Sequence, residues 1–186
     1  MFFTSRFQKG DMLRLHNALQ IPEFYICQQR SKTTGMEALM ILLRRLSYPN
    51  RLCDLEMVFG RSETELSLII NRILDDLYDR FHHLIDSLDL VWLDPEIFSR
   101  AIHAKGAPLT QRWGFIDGTQ RPISRPIRSQ KVMYSGHKRI HCVKFQSGQA
   151  PNGLIAHMFG PIEGRRHDAF MLAESHLTDK LERLNQ

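Results

Sequence analysis

Acidic residues are missing from residues 118–162, and seven basic ones fall there: Arg121, Arg125, Arg128, Lys131, Lys138, Arg139 and Lys144. A solvated basic face has this composition, and so does a surface that receives a polyanion; the complete lack of acids favours nucleic acid. Cysteine is scarce as well. Cys27, Cys53 and Cys142 are odd in number, far apart and without a CxxC pair, which excludes a disulfide framework or a zinc ribbon and leaves buried thiols as the expectation. No apolar run reaches the ~18–20 residues of a membrane span, and "MFFTSRFQKGD" breaks up before it could form the apolar stretch of a signal peptide. The expectation is an intracellular protein with no membrane partner. "GPIEG" does not end in Lys-Ser/Thr, so no phosphate loop and no nucleotide cofactor are indicated.

What is present is a soluble composition, 42% hydrophobic and 24% charged over 186 residues with net charge +5. That suffices for one ordinary domain, or for a small helical module joined to part of a larger one. Residues 1–35 show little periodicity beyond a short helix around "DMLRLHNALQ". Residues 36–86 are helical: Leu39, Leu42, Leu43 and Leu46 keep helical spacing until "YPN" stops the run. Asn50 is placed to cap a second helix with Leu52, Leu55, Met57, Val58 and Phe59, ending at Gly60. Ser62 and Glu65 have capping-box spacing ahead of Leu66, Ile69, Ile70, Ile73, Leu74, Leu77 and Phe81. Short helix, Gly turn and longer helix outline either a helix-turn-helix or plain helical packing, with any DNA contact near Arg61 and Ser62.

Residues 87–111 read as a connector with a short helix after Pro95, and residues 112–186 as a separate region. There the period changes to two. "WGFID", "RIHCVKFQ" and "GLIAHMFG" are short apolar segments separated by turn chemistry, which predicts a three-stranded antiparallel meander. One helix follows over "RRHDAFMLAESHLTDKLERL", with Phe170, Ala173, Leu177, Leu181 and Leu184 on one side. The fold class is therefore α/β in composition and α+β in arrangement.

Asp117 closes the first of these strands and is followed by Gly118 and Thr119. An acid there is either a turn former or a carboxylate held for chemistry. Asp168 opens a helix, where the ordinary reading is an N-terminal acid and the functional one a metal ligand. His137, His141, His157 and His167 lack the spacing and the cysteine partners of a zinc site.

"LLRRLSYPNRLCDLEMVFGRS", "GFIDGTQRPISRP", "YSGHKRIHCVKFQ" and "PNGLIAHMFGPIEGRRHDAFML", in this order, resemble the DDE superfamily endonucleases of the Harbinger-type transposase group. The resemblance implies an RNase H-like catalytic domain preceded by a helical region of helix-turn-helix character. It implies DNA as substrate, a two-metal site for Mg²⁺ or Mn²⁺, and a nuclear protein, or a cytoplasmic one before import. It also implies a possible homodimer or a separate DNA-binding partner protein. Asp117 corresponds to the first catalytic acid and metal ligand, with Asp168 a candidate second ligand. Arg121, Arg125, Arg128, Lys131, Lys138, Arg139, Lys144, Arg165 and Arg166 are the DNA-binding candidates. Two of the three family acids have no counterpart, so a domain cut short after its first half and lacking cleavage is the expectation. The alternatives are a non-catalytic DNA-binding protein derived from a transposon, or a fragment unable to fold.

Overall fold

A computed structural model describes residues 7–28, 31–47, 51–88 and 90–184. The chain forms two compact units, Met1–Phe81 and His82–Gln186.

The first unit is helical around a small hairpin. Helix α1 (Lys9–Ala18) precedes strands β1 (Phe24–Ile26) and β2 (Lys32–Thr34), which pair antiparallel. Helices α2 (Gly35–Ser47), α3 (Leu52–Phe59) and α4 (Glu63–Phe81) follow. Ala38, Leu39, Ile41 and Leu42 of α2 meet Leu55 of α3 and Leu66, Ile69, Ile70 and Ile73 of α4 in one core. Their spacings of three and four residues place them on single helix faces. Leu46, Met57 and Leu74 are instead exposed, 68%, 85% and 40% respectively; the buried stripe is narrower than the apolar pattern. Cys53 is also exposed, whereas Cys27 and Cys142 are buried. The N-cap expected at Asn50 and the stop at "YPN" lie outside the described residues.

The local chemistry of the turns is readable in bonds. Gly60 takes φ +65° and donates its N–H to Glu56 O, a conformation that costs a residue with a Cβ. Glu65 N–H donates to Ser62 Oγ at 3.3 Å and Ser62 N–H to Glu65 Oε2 at 3.4 Å, the reciprocal capping box. Arg61 is held inside this unit. Its guanidinium donates to both Glu37 oxygens at 2.7 and 2.9 Å and to Lys32 O at 3.2 Å, while Thr33 Oγ donates to Glu37 at 2.8 Å. One carboxylate thus ties the hairpin, α2 and the start of α4 together. A phosphate contact by Arg61 would have to break that fork.

In the second unit a 3₁₀ turn (His82–Ile85) and helix α5 (Pro95–Ala104) lead to the sheet. Asp94 caps α5 by accepting from Ile97 N–H at 3.0 Å, with Pro95 in the first turn. Strand β3 (Phe115–Pro122) pairs antiparallel along its whole length with β5 (Ile140–Gln149), from Phe115↔Gln149 to Pro122↔Cys142. On its other side β5 pairs with β6 (Ile155–Glu163) and, beyond that strand's end, with the short β4 (Tyr134–Ser135). A helical turn, α6 (Gln130–Met133), precedes β4. The three predicted strands are present in antiparallel order, but Asp117 does not close the first: β3 continues to Pro122 through its pairing with β5, and Asp117 is its third residue. Among the described residues β3 is an edge.

The single final helix expected is two. Helices α7 (Asp168–Glu174) and α8 (Leu177–Leu184) are separated by His176 at φ +49°, and Ser175 Oγ accepts the Leu177 N–H. Leu88, Ala156 and Leu177 form the local core, with Trp92, Trp113 and Leu181 packed against it.

The Glu37–Arg61 fork gives a test. Arg61 holds the Glu37 carboxyl below its usual range through that hydrogen bond, with Thr33 adding to it. A depressed folded pKa contributes stability that is present above the unfolded pKa and lost as pH falls through the folded one. Glu37→Gln is therefore expected to lower unfolding free energy at neutral pH by about 1–2 kcal/mol. In acid, stability should fall less with pH for the variant than for the parent. Urea unfolding at several pH values measures both.

Candidate active site

The register of β3 on β5 decides which side chains share a face. Antiparallel partners project to the same side and neighbours along a strand to opposite sides. Asp117 therefore shares a face with Thr119 and Arg121 and with Ser147, Phe145 and Val143 of β5. Gly118 and Gln120 share the other face with Gln146 and Lys144.

Asp117 is exposed, and so are Phe115 and Arg121 beside it on β3. Among the described residues its carboxylate makes no hydrogen bond and no ion pair. Its backbone is pinned against Ser147, so a flexible side chain is delivered from a fixed position.

Asp168 sits on the opposite face. A Cβ built on Gly118 would lie 3.3 Å from the Asp168 carboxyl carbon and 3.4 Å from each oxygen. Gly118 therefore does make room, but the group it admits is the first residue of α7. Lys144, 8% exposed, reaches Asp168 Oδ1 at 3.4 Å and donates to Arg166 O at 2.6 Å. A nearly buried ammonium needs such partners. The structure thus brings Asp168 to Lys144 and Gly118, and it does not bring Asp168 to Asp117. As ligands of one shared divalent ion the two acids do not fit. Of the two, Asp117 offers the unpaired hard oxygen ligand, whereas Asp168, also exposed at 72%, is paired with Lys144.

The basic candidates divide the same way. Arg121, Arg125, Arg128, Lys131, Lys138, Arg139 and Arg165 are exposed. Arg125 also donates to Gln130 Oε1 at 3.0 Å. Lys144 and Arg166 are occupied by the fold: the Arg166 guanidinium bonds Glu163 at 2.9 Å, lies 4.3 Å from the Phe170 ring, and holds the Glu163 carboxyl below its usual range. Period-two parity along β5 carries the signal for Lys144, since it falls on the same face as buried Cys142 and Gln146.

His137 and His167 are exposed, and His141 stacks edge-on to Tyr134 at 5.4 Å. His157 is 1% exposed. Its Nε2 lies 3.1 Å from Lys180 Nζ, which also donates to Asp86 O at 2.7 Å, while its Nδ1 has no partner. Burial, with the Lys180 charge second, pushes the imidazole down to about 4, so it is neutral at physiological pH. It lines a cavity of about 180 Å³ with Trp113, Ile116, Leu177 and Leu181. The sequence singles out His157 only as one of four histidines without zinc-site spacing; its burial and its contact with Lys180 come from the fold. Among the described residues no three His, Cys, Asp or Glu side chains converge as a metal cluster.

The matched segment starts within β3. Residues 116–185 match the family model of the DDE superfamily endonucleases. The match covers less than half of the chain, begins one residue before Asp117 and spans the sheet with α7 and α8. No curated protein and no solved structure matches the chain. Endonucleases of this superfamily act on DNA and generally use divalent metals. No helix of the described residues is long and apolar enough to cross a membrane.

Proposed function

We propose that the second unit is part of a DDE-type, metal-dependent DNA endonuclease or transposase of the Harbinger group, with an RNase H-like sheet and a nuclear site of action. The observation that carries this reading is Asp117: an unpaired, exposed carboxylate on a pinned strand, inside the segment that matches the endonuclease family and that also carries seven exposed basic residues.

The basic residues hold phosphates. Arg121 stands two positions along β3 from Asp117, on the same face, so it can bring a phosphate towards the acid. Arg125, Arg128, Lys131, Lys138, Arg139 and Arg165 extend the positive surface along the backbone of the nucleic acid. Asp117 would hold Mg²⁺ or Mn²⁺. When bound, such ions activate the attacking oxygen and stabilise the leaving one in phosphodiester cleavage. Lys144 works at a remove, fixing Asp168 and the entry to α7 against the sheet. The first unit is a helical module of helix-turn-helix outline, with Arg61 spent on its own fold.

A second reading is favoured by the separation of the acids. One carboxylate on the open face supports DNA binding without cleavage. Nicking of supercoiled plasmid with Mn²⁺ separates the two. Nicking by the parent that is lost in Asp117→Ala, with DNA affinity retained, would support the endonuclease reading with a working site and overturn the expectation, drawn from the two missing acids, that this chain does not cleave. Binding without nicking by the parent supports the non-catalytic reading, and nicking unchanged in Asp117→Ala would remove Asp117 from the site.

The basic surface has its own measurement. Each phosphate contact contributes about −0.9 to the slope of log K against log salt. Replacing Arg125, Arg128 and Lys131 together with Ala should flatten the slope by up to about 2.7. Lys144→Ala, which removes a residue bound inside the fold, should leave it unchanged.

A further inference from the structure

The basic residues of the second unit gather at one end of its sheet. The β3–β5 ladder closes at Pro122↔Cys142, β4 meets β5 at Tyr134↔His141, and β6 leaves it at Val143↔Glu163. Arg165 N–H donates to Val132 O at 3.2 Å, so the chain after β6 returns to this end, where the turn carrying Lys138 and Arg139 also lies. Between β3 and α6 the same end holds a loop, residues 123–129, and Arg-Pro-Ile occurs twice in succession there, at 121–123 and 125–127. Ile123 N–H, bonded to His141 O at 2.9 Å, and Ser129 O, which accepts from Val132 N–H at 3.0 Å, fix its two ends. Among the described residues the backbone of residues 124–128 makes no backbone hydrogen bond and forms no helix or strand. Pro122 and Pro126 have no N–H to leave unpaired, and they bias Arg121 and Arg125 towards extended backbone. Arg125, Ile127 and Arg128 are exposed, Ile127 to 95%. The Arg125 Nε–H bond to Gln130 Oε1 engages one of the guanidinium donors and leaves the others to a ligand.

We propose, on the reading of this surface as one that binds DNA, that the loop is a minor-groove arm selecting A·T-rich duplex, with Arg125 and Arg128 inside the groove and Ile127 against its sugar walls. Width decides the groove. The major groove, about 12 Å wide, takes a helix or a two-stranded ribbon, whereas the minor groove, about 6 Å wide, takes a single extended segment. Arg125 and Arg128 stand on neither a helix nor a strand. Charge decides the sequence. A·T tracts have the narrower minor groove with the more negative potential, and arginine is drawn into it. Adenine N3 and thymine O2 accept from a guanidinium, while the 2-amino group of guanine, itself a donor, opposes a side chain that has donors only. With no acid from residue 118 to 162, nothing in the segment repels the phosphates on either side.

The basic residues then have separate tasks. Arg121 and Lys131 flank the arm and, with Lys138, Arg139 and Arg165, hold phosphates along the rims, which positions the arm without reading sequence. Arg125 and Arg128, between the two phosphate rows, still displace cations and so contribute to the salt slope as phosphate contacts do. Ile127, otherwise left in water, gains apolar contact with the deoxyribose faces.

The test uses the full chain and duplexes of equal length with a central A·T, I·C or G·C tract. Inosine lacks the 2-amino group of guanine, so I·C presents the minor-groove acceptors of A·T and the major-groove pattern of G·C. Titration at one salt concentration should show A·T and I·C bound alike and about tenfold more tightly than G·C, the discrimination of one good base contact. The double variant Arg125→Ala/Arg128→Ala should lose that preference, whereas Lys131→Ala should weaken all three complexes equally. Ile127→Ser should weaken them several-fold with the salt slope unchanged. These side chains are exposed, and circular dichroism checks that each variant is folded like the parent. Binding of I·C like G·C, equal binding of all three duplexes, a preference that survives the double variant, or an Ile127→Ser chain that binds like the parent would each overturn the arm and leave a phosphate-binding surface standing. A chain that binds no duplex defeats the DNA-binding reading and the arm with it. A preference for A·T and I·C in a chain that nicks no plasmid supports the arm and the non-catalytic reading together.

Discussion

The pairing of β3 with β5 governs the second unit. Eight residues of β3 are matched in register with eight of β5, and a slip by one position would exchange the two faces. Asp117 would then turn towards the helices and Gly118 to solvent. The opening for the α7 acid would be lost, and Lys144 would be turned away from its partners. The separation of an exposed acid from a buried basic anchor is thus one consequence of a single register.

The covered face shows how that register is held. Gly118 supplies space, Asp168 fills it, and Lys144 crosses from β5 to both Asp168 and the Arg166 carbonyl. An exposed ion pair contributes little, but Lys144 is nearly buried, and its hydrogen bonds offset the cost of taking an ammonium out of water. Leu177 and Leu181 extend the same cover over His157, which stays neutral because its surroundings disfavour charge. The first unit applies a related device, in which Glu37 gathers Arg61 and Thr33 across three elements.

Much of this was legible in the sequence, and the failures have physical causes. The strands through "RIHCVKFQ" and "GLIAHMFG" follow from apolar segments between turn residues, whereas the strand expected to end at Asp117 runs on through "GTQRP" to Pro122, because that polar stretch is paired with β5. The caps at Ser62 and Gly60 follow from side-chain chemistry alone. The break between α7 and α8 does not, because "AESHLT" contains neither Gly nor Pro and His176 takes positive φ through tertiary context. Met57 and Leu74 show the opposite error, in which apolar residues at helical spacing lie outside a narrow buried stripe. At the candidate site the position of Asp117 was legible, while the side of the sheet on which Asp168 lies was not. That side depends on how α7 returns to β5, a long-range packing choice that local pattern does not encode. The basic segment could be read as a surface but not sorted. Lys144 shares the buried parity of Cys142 and Gln146, whereas Arg166 differs from its neighbours only in the partners that the fold brings to it.

The central claim is that, of the two candidate acids, the one without a partner and able to hold a cation is Asp117, on the face away from the Lys144–Asp168 pair. Paramagnetic broadening of backbone amide resonances by Mn²⁺, added to the isotopically labelled full chain, measures this directly. The account predicts that the amides around Asp117 and Ser147 broaden first, and that the broadening disappears in Asp117→Ala and persists in Asp168→Asn. Broadening centred on Asp168, or broadening at β3 that survives Asp117→Ala, would contradict it.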